Sequence, residues 1–406
     1  MTKTAAPLSP RHTAFAIASL AIGGFGIGTV EFAMMGLLPN IAQGVHVSIP
    51  EAGHLISSYA LGVVVGAPVL AAVGARIRRK TLVTLLMVLF TVANLSSYFA
   101  ADYPALLLTR FIAGLPHGAY FGVAAVIVAS LVAPTKRGRA ISMLMLGLSI
   151  ANVVGVPLAT LIGQQLGWRL MFVLVALLGV LTLVSIRRFV PLMPVPQDAG
   201  LRSELGALKR LQVWLTLLIG IVGFGGFFAV YAYIAPTMTN VAGFPASFLP
   251  IVVALYGLGM VTGNVIGGRI ADKSVLGSIF AVMAFIAAML LIYSAAVHVQ
   301  WAALLMVFVV GAAGAMLIPA LQTRLLDVSP DAPALASSLN HSALNVANAL
   351  GPFLGGLVIT LGWGYTAPAL IGAALAVLGL GIAAVSGLVD VRRRRSKAVL
   401  LVSTTV

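Results

Sequence analysis

Two charged side chains stand where a lipid-compatible chain should have none. Glu31 lies in "GTVEFAMMGLLP" and Arg110 opens "RFIAGLPHGAYFG". At the centre of a bilayer such a charge costs about 3 kcal/mol unless it is paired, hydrated or neutralised. A carboxylate in a low-dielectric setting can take up and release a proton, and a nearby arginine favours its charged form. Arginine itself does not titrate and serves as a fixed partner. Glu31 therefore reads as a proton-coupling or substrate-contacting acid, with a hydrogen-bonded packing residue as the alternative.

Weaker polar features surround these two. Arg110, Gly114 and His117 recur at i, i+4 and i+7 and share one helix face. His117 titrates near neutrality in its ordinary state, and it reads as a cavity-lining or a packing residue. Without clustered His, Asp or Glu it is a poor metal ligand, so no metal site is expected. Ser338, His341, Asn345 and Asn348 form a narrow stripe that glues helices or lines water. Tyr231 and Tyr233 in "FFAVYAYIAP" can stack on or hydrogen-bond a substrate, or belong to an interfacial aromatic belt. Met35, beside Glu31, suits an adaptable apolar pocket.

These residues need elements to hold them, and composition restricts what those are. The chain has 406 residues, 61% hydrophobic and 8% charged, against about 25% charged in soluble domains. It reads as a polytopic membrane protein with no sizeable soluble domain. Cysteine is absent, which excludes disulfides and thiolate metal sites. Runs of about 20 apolar residues fall at 14–39, 51–74, 81–101, 104–133, 139–163, 168–189, 212–236, 247–269, 276–297, 300–323, 333–360 and 364–388. The fold class is thus all-α, with twelve transmembrane helices. "SIPE" at 48–51 is a capping box with proline at the helix start.

The formal charge of +15 is explained by placement, not by nucleic-acid binding. Of 24 Lys and Arg, all but Arg110 and Arg169 fall in the N-tail, the even-to-odd loops or the C-tail. Positive residues stay cytoplasmic, so both termini are expected in the cytoplasm. The chain divides into an N-tail (1–13), a six-helix half (14–189), a cytoplasmic linker (190–211), a second six-helix half (212–388) and a basic C-tail (389–406).

The halves repeat at an offset near 197. "YALGVVVG" at 59–66 matches "YGLGMVTG" at 256–263, and "ANVVGVP" at 151–157 matches "ANALGPF" at 347–353. "RIRRK" at 76–80 matches "RIADK" at 269–273, "GW" at 167–168 matches "GW" at 362–363, and Pro39 matches Pro236. Two pseudo-symmetric parallel halves describe a transporter with its site at the repeat interface. The repeat sets Phe228 against Glu31 and Phe308 against Arg110, so the charges are particular to the first half. With 1.5 Å per residue, both charges lie roughly 9–12 Å below the outer boundary. A direct or water-bridged pair is geometrically open to them.

With these motifs the chain resembles the major facilitator superfamily over nearly its whole length. "GNVIGGRIADK" at 263–273 is similar to that family's signature loop between the second and third helix of a half. "RFIAGLPHGAYFG" resembles its fourth-helix signature, and "GLSIANVVGVPLATLIG" at 147–163 resembles the fifth-helix signature of drug:proton antiporters. Within them the chain is similar to the twelve-span bacterial arabinose-efflux, sugar-efflux and chloramphenicol-resistance transporters. The resemblance implies a proton-relay or structural role for Arg110. It implies gating and packing roles for Gly155, Pro157, Gly351 and Pro352, with helices 5 and 11 closing on the opposite half. Gly263, Arg269 and Asp272 belong to the implied gating motif, in which Asp272 takes the acid's part in a charge relay near the cytoplasmic face. In the first half the acid of that relay is missing, because Arg79 stands where the second half has Asp272.

The functional expectation is a secondary active transporter of the bacterial cytoplasmic membrane. It exports a small organic molecule in exchange for H⁺ by alternating access. It needs no cofactor beyond the proton gradient and no nucleic-acid partner, and a monomer in the lipid bilayer suffices. A proton-independent facilitator or importer, and a non-transporting membrane sensor, are the alternatives. An enzyme is not expected: "GGFGIG" at 23–28 lies within a span with no strand before it.

Overall fold

The computed structural model describes residues 9–74, 77–133, 136–192, 209–329 and 333–404. Most of the linker (193–208), the first eight residues, and Arg76 of the "RIRRK" loop lie outside them. Among the described residues, twelve helices are long and apolar enough to cross a membrane. They are α1 (Pro10–Gly36), α2 (Ile49–Leu70), α3 (Arg79–Phe99), α4 (Tyr103–Ser130), α5 (Ala140–Leu166) and α6 (Leu170–Phe189). Then follow α7 (Leu211–Ala232), α8 (Ala246–Ala271), α9 (Val275–Ala296), α10 (Gln300–Val328), α11 (Leu339–Thr360) and α12 (Ala367–Arg392). All twelve expected spans are present.

Local chemistry sets their ends. Ser9 caps α1 by accepting from the His12 N–H, with Pro10 in the first turn, so the helix starts ahead of its apolar run. Ser48 and Glu51 form the expected capping box: the Ser48 N–H donates to Glu51 Oε2 at 2.8 Å, and the Glu51 N–H to Ser48 Oγ at 3.3 Å. Asp102 caps α4 through the Ala105 N–H at 2.9 Å. Past residue 388 the helical backbone runs on to Thr404, since the tail has no glycine or proline to stop it.

The expected first span, 14–39, is interrupted. α1 ends at Gly36, and Pro39 sits in the first turn of a short helix, Leu38–Gly44. Proline has no N–H to continue a helix but fits a first turn. The second half repeats the break: α7 ends at Ala232 and Ile234–Asn240, with Pro236, follows. Gly167 and Gly362, the two "GW" glycines, both take positive φ (107° and 83°). That backbone favours glycine, which is why the motif recurs.

The chain forms two compact units, Met1–Ala199 with Ala232–Leu258, and Gly200–Tyr231 with Gly259–Val406. In the first, α2 and α4 approach closely. Cβ atoms added to Gly62 and Gly66 would run into the backbone of Phe111 and Leu115, and one on Gly114 into that of Tyr59. In the second, Gly259, Gly263 and Gly267 meet Phe308, Ala312 and Met316 of α10 in the same way. Small residues let helix backbones touch where lipid offers no hydrophobic drive. These matched contacts correct the register of the repeat. Phe308 corresponds to Phe111, and Arg110 corresponds to Val307, which is buried and equally apolar.

Gly155 and Pro157 shape α5. Residues Ala151–Gly155 form a π-turn, closed by the Val156 N–H donating to the Ala151 carbonyl. Pro157 donates no hydrogen bond, which leaves the preceding carbonyls free to re-pair. Gly155 lies on Thr29 and Phe25 of α1, and Gly351 on Gly225, Phe228 and Ala229 of α7. Both glycines thus lie against helices of their own half. In the first unit, Gly257 of α8 lies against the Asn152 backbone of α5. Pro352 lies inside the helix Pro333–Thr360. Arg269 and Asp272 are exposed at the end of α8, and no ion pair joins them to a described residue.

A network that the sequence reading passed over ties α7, α10 and α12 in the second unit. Arg324 Nη2 donates to Asp390 Oδ2 at 2.6 Å, Gln212 Oε1 at 3.2 Å and Ser386 Oγ at 3.2 Å. Gln212 Nε2 donates to Asp390 Oδ1 at 2.9 Å. Arg324 was read as a loop cation; it lies inside α10 and is buried.

Candidate functional site

The α2–α4 contact presses Tyr59 against the polar face of α4. Arg110 is completely buried, and its guanidinium carbon stands 4.3 Å over the centre of the Tyr59 ring. Its Nε, Nη1 and Nη2 make no hydrogen bond to a described residue. Two helical turns further on, His117 Nδ1 lies 3.2 Å from the Tyr59 hydroxyl. The same Nδ1 lies 4.0 Å from Glu31 Oε2 of α1. Glu31 is 6% exposed and His117 5%. Phe121 backs the imidazole with ring centroids 5.4 Å apart.

A direct Glu31–Arg110 hydrogen bond is therefore not made. Tyr59 and His117 link the two charges instead, and both charges lie within electrostatic reach of Tyr59. A desolvated cation–π contact contributes about 2 kcal/mol. A buried arginine costs about 2.5–3.5 kcal/mol. The ring offsets part of that cost, and the field of a charged Glu31 acts in the same direction. The arrangement places a carboxyl, an imidazole and a phenol in one buried chain of proton donors and acceptors, beside a fixed positive charge.

The remaining candidates lie as follows. Met35 is fully buried on α1. Tyr231 and Tyr233 are both fully buried, so neither forms part of an exposed interfacial belt. The Tyr233 hydroxyl packs on Gly53 of α2 in the first unit, and the Tyr231 ring lies 6.2 Å from Phe227 in the second. On α11, His341 is half-buried and Asn345 buried. Asn345 Nδ2 donates back to the His341 carbonyl at 3.0 Å, and its Oδ1 makes no hydrogen bond. Among the described residues no three of His, Asp and Glu come together as a metal site.

Tyr59 is the member that sequence reasoning missed. Its signal was the repeated "Y-x-L-G" that opens the glycine motif of α2. Nothing in that motif states which helix the glycines face.

The family model of the Major Facilitator Superfamily matches residues 20–332. The chain belongs to the Major Facilitator Superfamily. It is 40% identical over 366 residues to the inner membrane transport protein YdhP of Escherichia coli (strain K12), covering 90% of this chain and 94% of that one. It is 32% identical over 343 residues to a chloramphenicol resistance protein of Streptomyces lividans, covering 82% and 86%. The fold matches that of a bacterial homolog of the human lysosomal transporter Spinster, crystallised inward-facing and occupied. That match has a TM-score of 0.74 at 18% identity, and covers 94% of this chain and 98% of the other. As a Major Facilitator Superfamily member the chain is a multi-pass membrane transporter and not an enzyme, as its motifs led one to expect.

Proposed function

We propose that this transporter exports a small organic molecule across the bacterial cytoplasmic membrane in exchange for protons, with both termini in the cytoplasm. The observation that carries the reading is the buried Glu31 carboxyl, facing His117 and, through Tyr59, Arg110. Its repeat partner is Phe228, so the acid is not a requirement of the fold. The relatives named as an inner membrane transport protein and a chloramphenicol resistance protein agree with export at that membrane.

In the cycle, a proton from outside neutralises Glu31. Access then alternates, and the proton leaves inward as the next substrate binds. One carboxyl of this kind gives one proton per substrate, worth about 1.4 kcal/mol, or a tenfold gradient, per pH unit. The proton gradient supplies the energy, no cofactor takes part, and a monomer suffices.

The test uses everted membrane vesicles and a compound selected by thermal-shift screening of sugars, phenicols, purines and dyes. Acidifying the vesicle lumen is expected to drive uptake of that compound, and collapsing the pH gradient to abolish it. Uptake indifferent to the gradient identifies a facilitator and overturns the antiport reading.

A further inference from the structure

The neighbours of His117 define a second proton site. Its Nδ1 faces two oxygens, the Tyr59 hydroxyl at 3.2 Å and Glu31 Oε2 at 4.0 Å. A neutral imidazole protonated on Nε2 accepts the Tyr59 O–H at Nδ1. An imidazolium donates from the same nitrogen to the Tyr59 oxygen and lies at ion-pair distance from Glu31 Oε2. A tyrosine hydroxyl both donates and accepts, so it satisfies Nδ1 in both states without moving a heavy atom. Few positions in an apolar span offer that, and a histidine that merely packs has no need of it.

We propose that Glu31 and His117 hold the coupled proton jointly, with Tyr59 as the positioning residue. The inference rests on the proton-antiport reading and adds His117 to it. The transfer is balanced: once the two side chains close from 4.0 Å to hydrogen-bond distance, the O–H bond at Glu31 Oε2 breaks as the N–H bond at His117 Nδ1 forms. A neutral acid and a neutral imidazole become a carboxylate and an imidazolium, with no change in net charge. Opposite charges 4.0 Å apart in a buried setting hold one another strongly, so both protonation isomers are accessible. The single proton then has two stations, one on α1 and one on α4.

The other groups around the pair do not supply a competing station. Arg110 on α4 keeps its charge and rests on Tyr59. Tyr120 turns its hydroxyl to the Leu20 carbonyl at 2.8 Å. At the start of α2, the Tyr103 hydroxyl engages the Glu51 backbone carbonyl and His54 Nδ1, and the Glu51 carboxylate is held by Ser48. Tyr233 packs on Gly53. Among the described residues, the buried polar side chains of α3, α5 and α6 are Thr91, Asn94, Ser97, Asn152, Thr160 and Thr182, none of which titrates.

The test is a reciprocal titration on the full chain in detergent. The six histidines are labelled with nitrogen-15, and the His117 signal is assigned by its loss in His117→Gln. Glu31 is followed by its infrared carboxyl band, assigned by its loss in Glu31→Gln. Joint holding requires Glu31→Gln to move the His117 transition by about one pH unit or more, a tenfold change in proton affinity. It also requires His117→Gln to move the Glu31 transition by the same amount, because coupling is reciprocal. Thermal unfolding checks each variant, and His117→Asn replaces a His117→Gln protein that does not fold. A His117 transition unmoved by Glu31→Gln overturns the inference while leaving the antiport reading intact, provided Glu31 itself titrates. If no carboxyl band belongs to Glu31 at any pH, the antiport reading fails as well.

Discussion

Arg110 is the largest fully buried side chain described, and an aromatic face carries it where a carboxylate was expected. That makes its planarity matter as well as its charge, and lysine has no such plane. Arg110→Lys is therefore expected to slow transport about tenfold, equivalent to about 1.4 kcal/mol, while the protein still folds. Transport at the wild-type rate in proteoliposomes would show that charge alone suffices. Glu31 and Arg110 were legible in the sequence because a charge in an apolar run is costly and conspicuous. Tyr59 was not, since tyrosine is at home in a span, and its partners lie about fifty residues on along the chain.

At the scale of elements, the site depends on how closely α2 and α4 approach. Gly62, Gly66 and Gly114 set that distance, and Ser58 Oγ adds a hydrogen bond to the Leu107 carbonyl at 2.8 Å. Gly66→Val would force its side chain into the Leu115 backbone, and overpacking of this kind costs about 1–3 kcal/mol. The expected outcome is a lower thermal midpoint, together with transport lost out of proportion to stability, because Tyr59 moves away from Arg110 and His117. An unchanged midpoint would mean that the helices are not apposed as described. All twelve helices were legible from apolar runs and charge placement. The breaks at Leu37 and Tyr233 and the π-turn in α5 were not, although Pro39, Pro236 and Pro157 marked each place. Proline shows that a helix must adjust, but its neighbours decide whether it ends, restarts or widens by a residue. The Arg324–Asp390–Gln212–Ser386 network was hidden for another reason. Its members come from three helices, and an arginine near a predicted loop reads as a topology anchor.

Across the whole molecule, one backbone plan is used twice with different side chains. The glycine contacts of α2 with α4 recur in α8 with α10, and the interrupted α1 recurs in α7. The buried charges do not recur: Phe228 and Val307 take their places. The shared plan accounts for the fold, and the unshared residues are where a specific task is to be sought. The central claim is that Glu31 carries the coupled proton. Its most direct test compares wild type and Glu31→Gln in proteoliposomes, using the compound found by thermal-shift screening. Exchange of labelled for unlabelled compound with equal pH on both sides needs no net proton movement, and Glu31→Gln is expected to retain it. Accumulation driven by a pH gradient is expected to vanish in that variant. A Glu31→Gln protein that still accumulates the compound in response to the gradient would contradict the account.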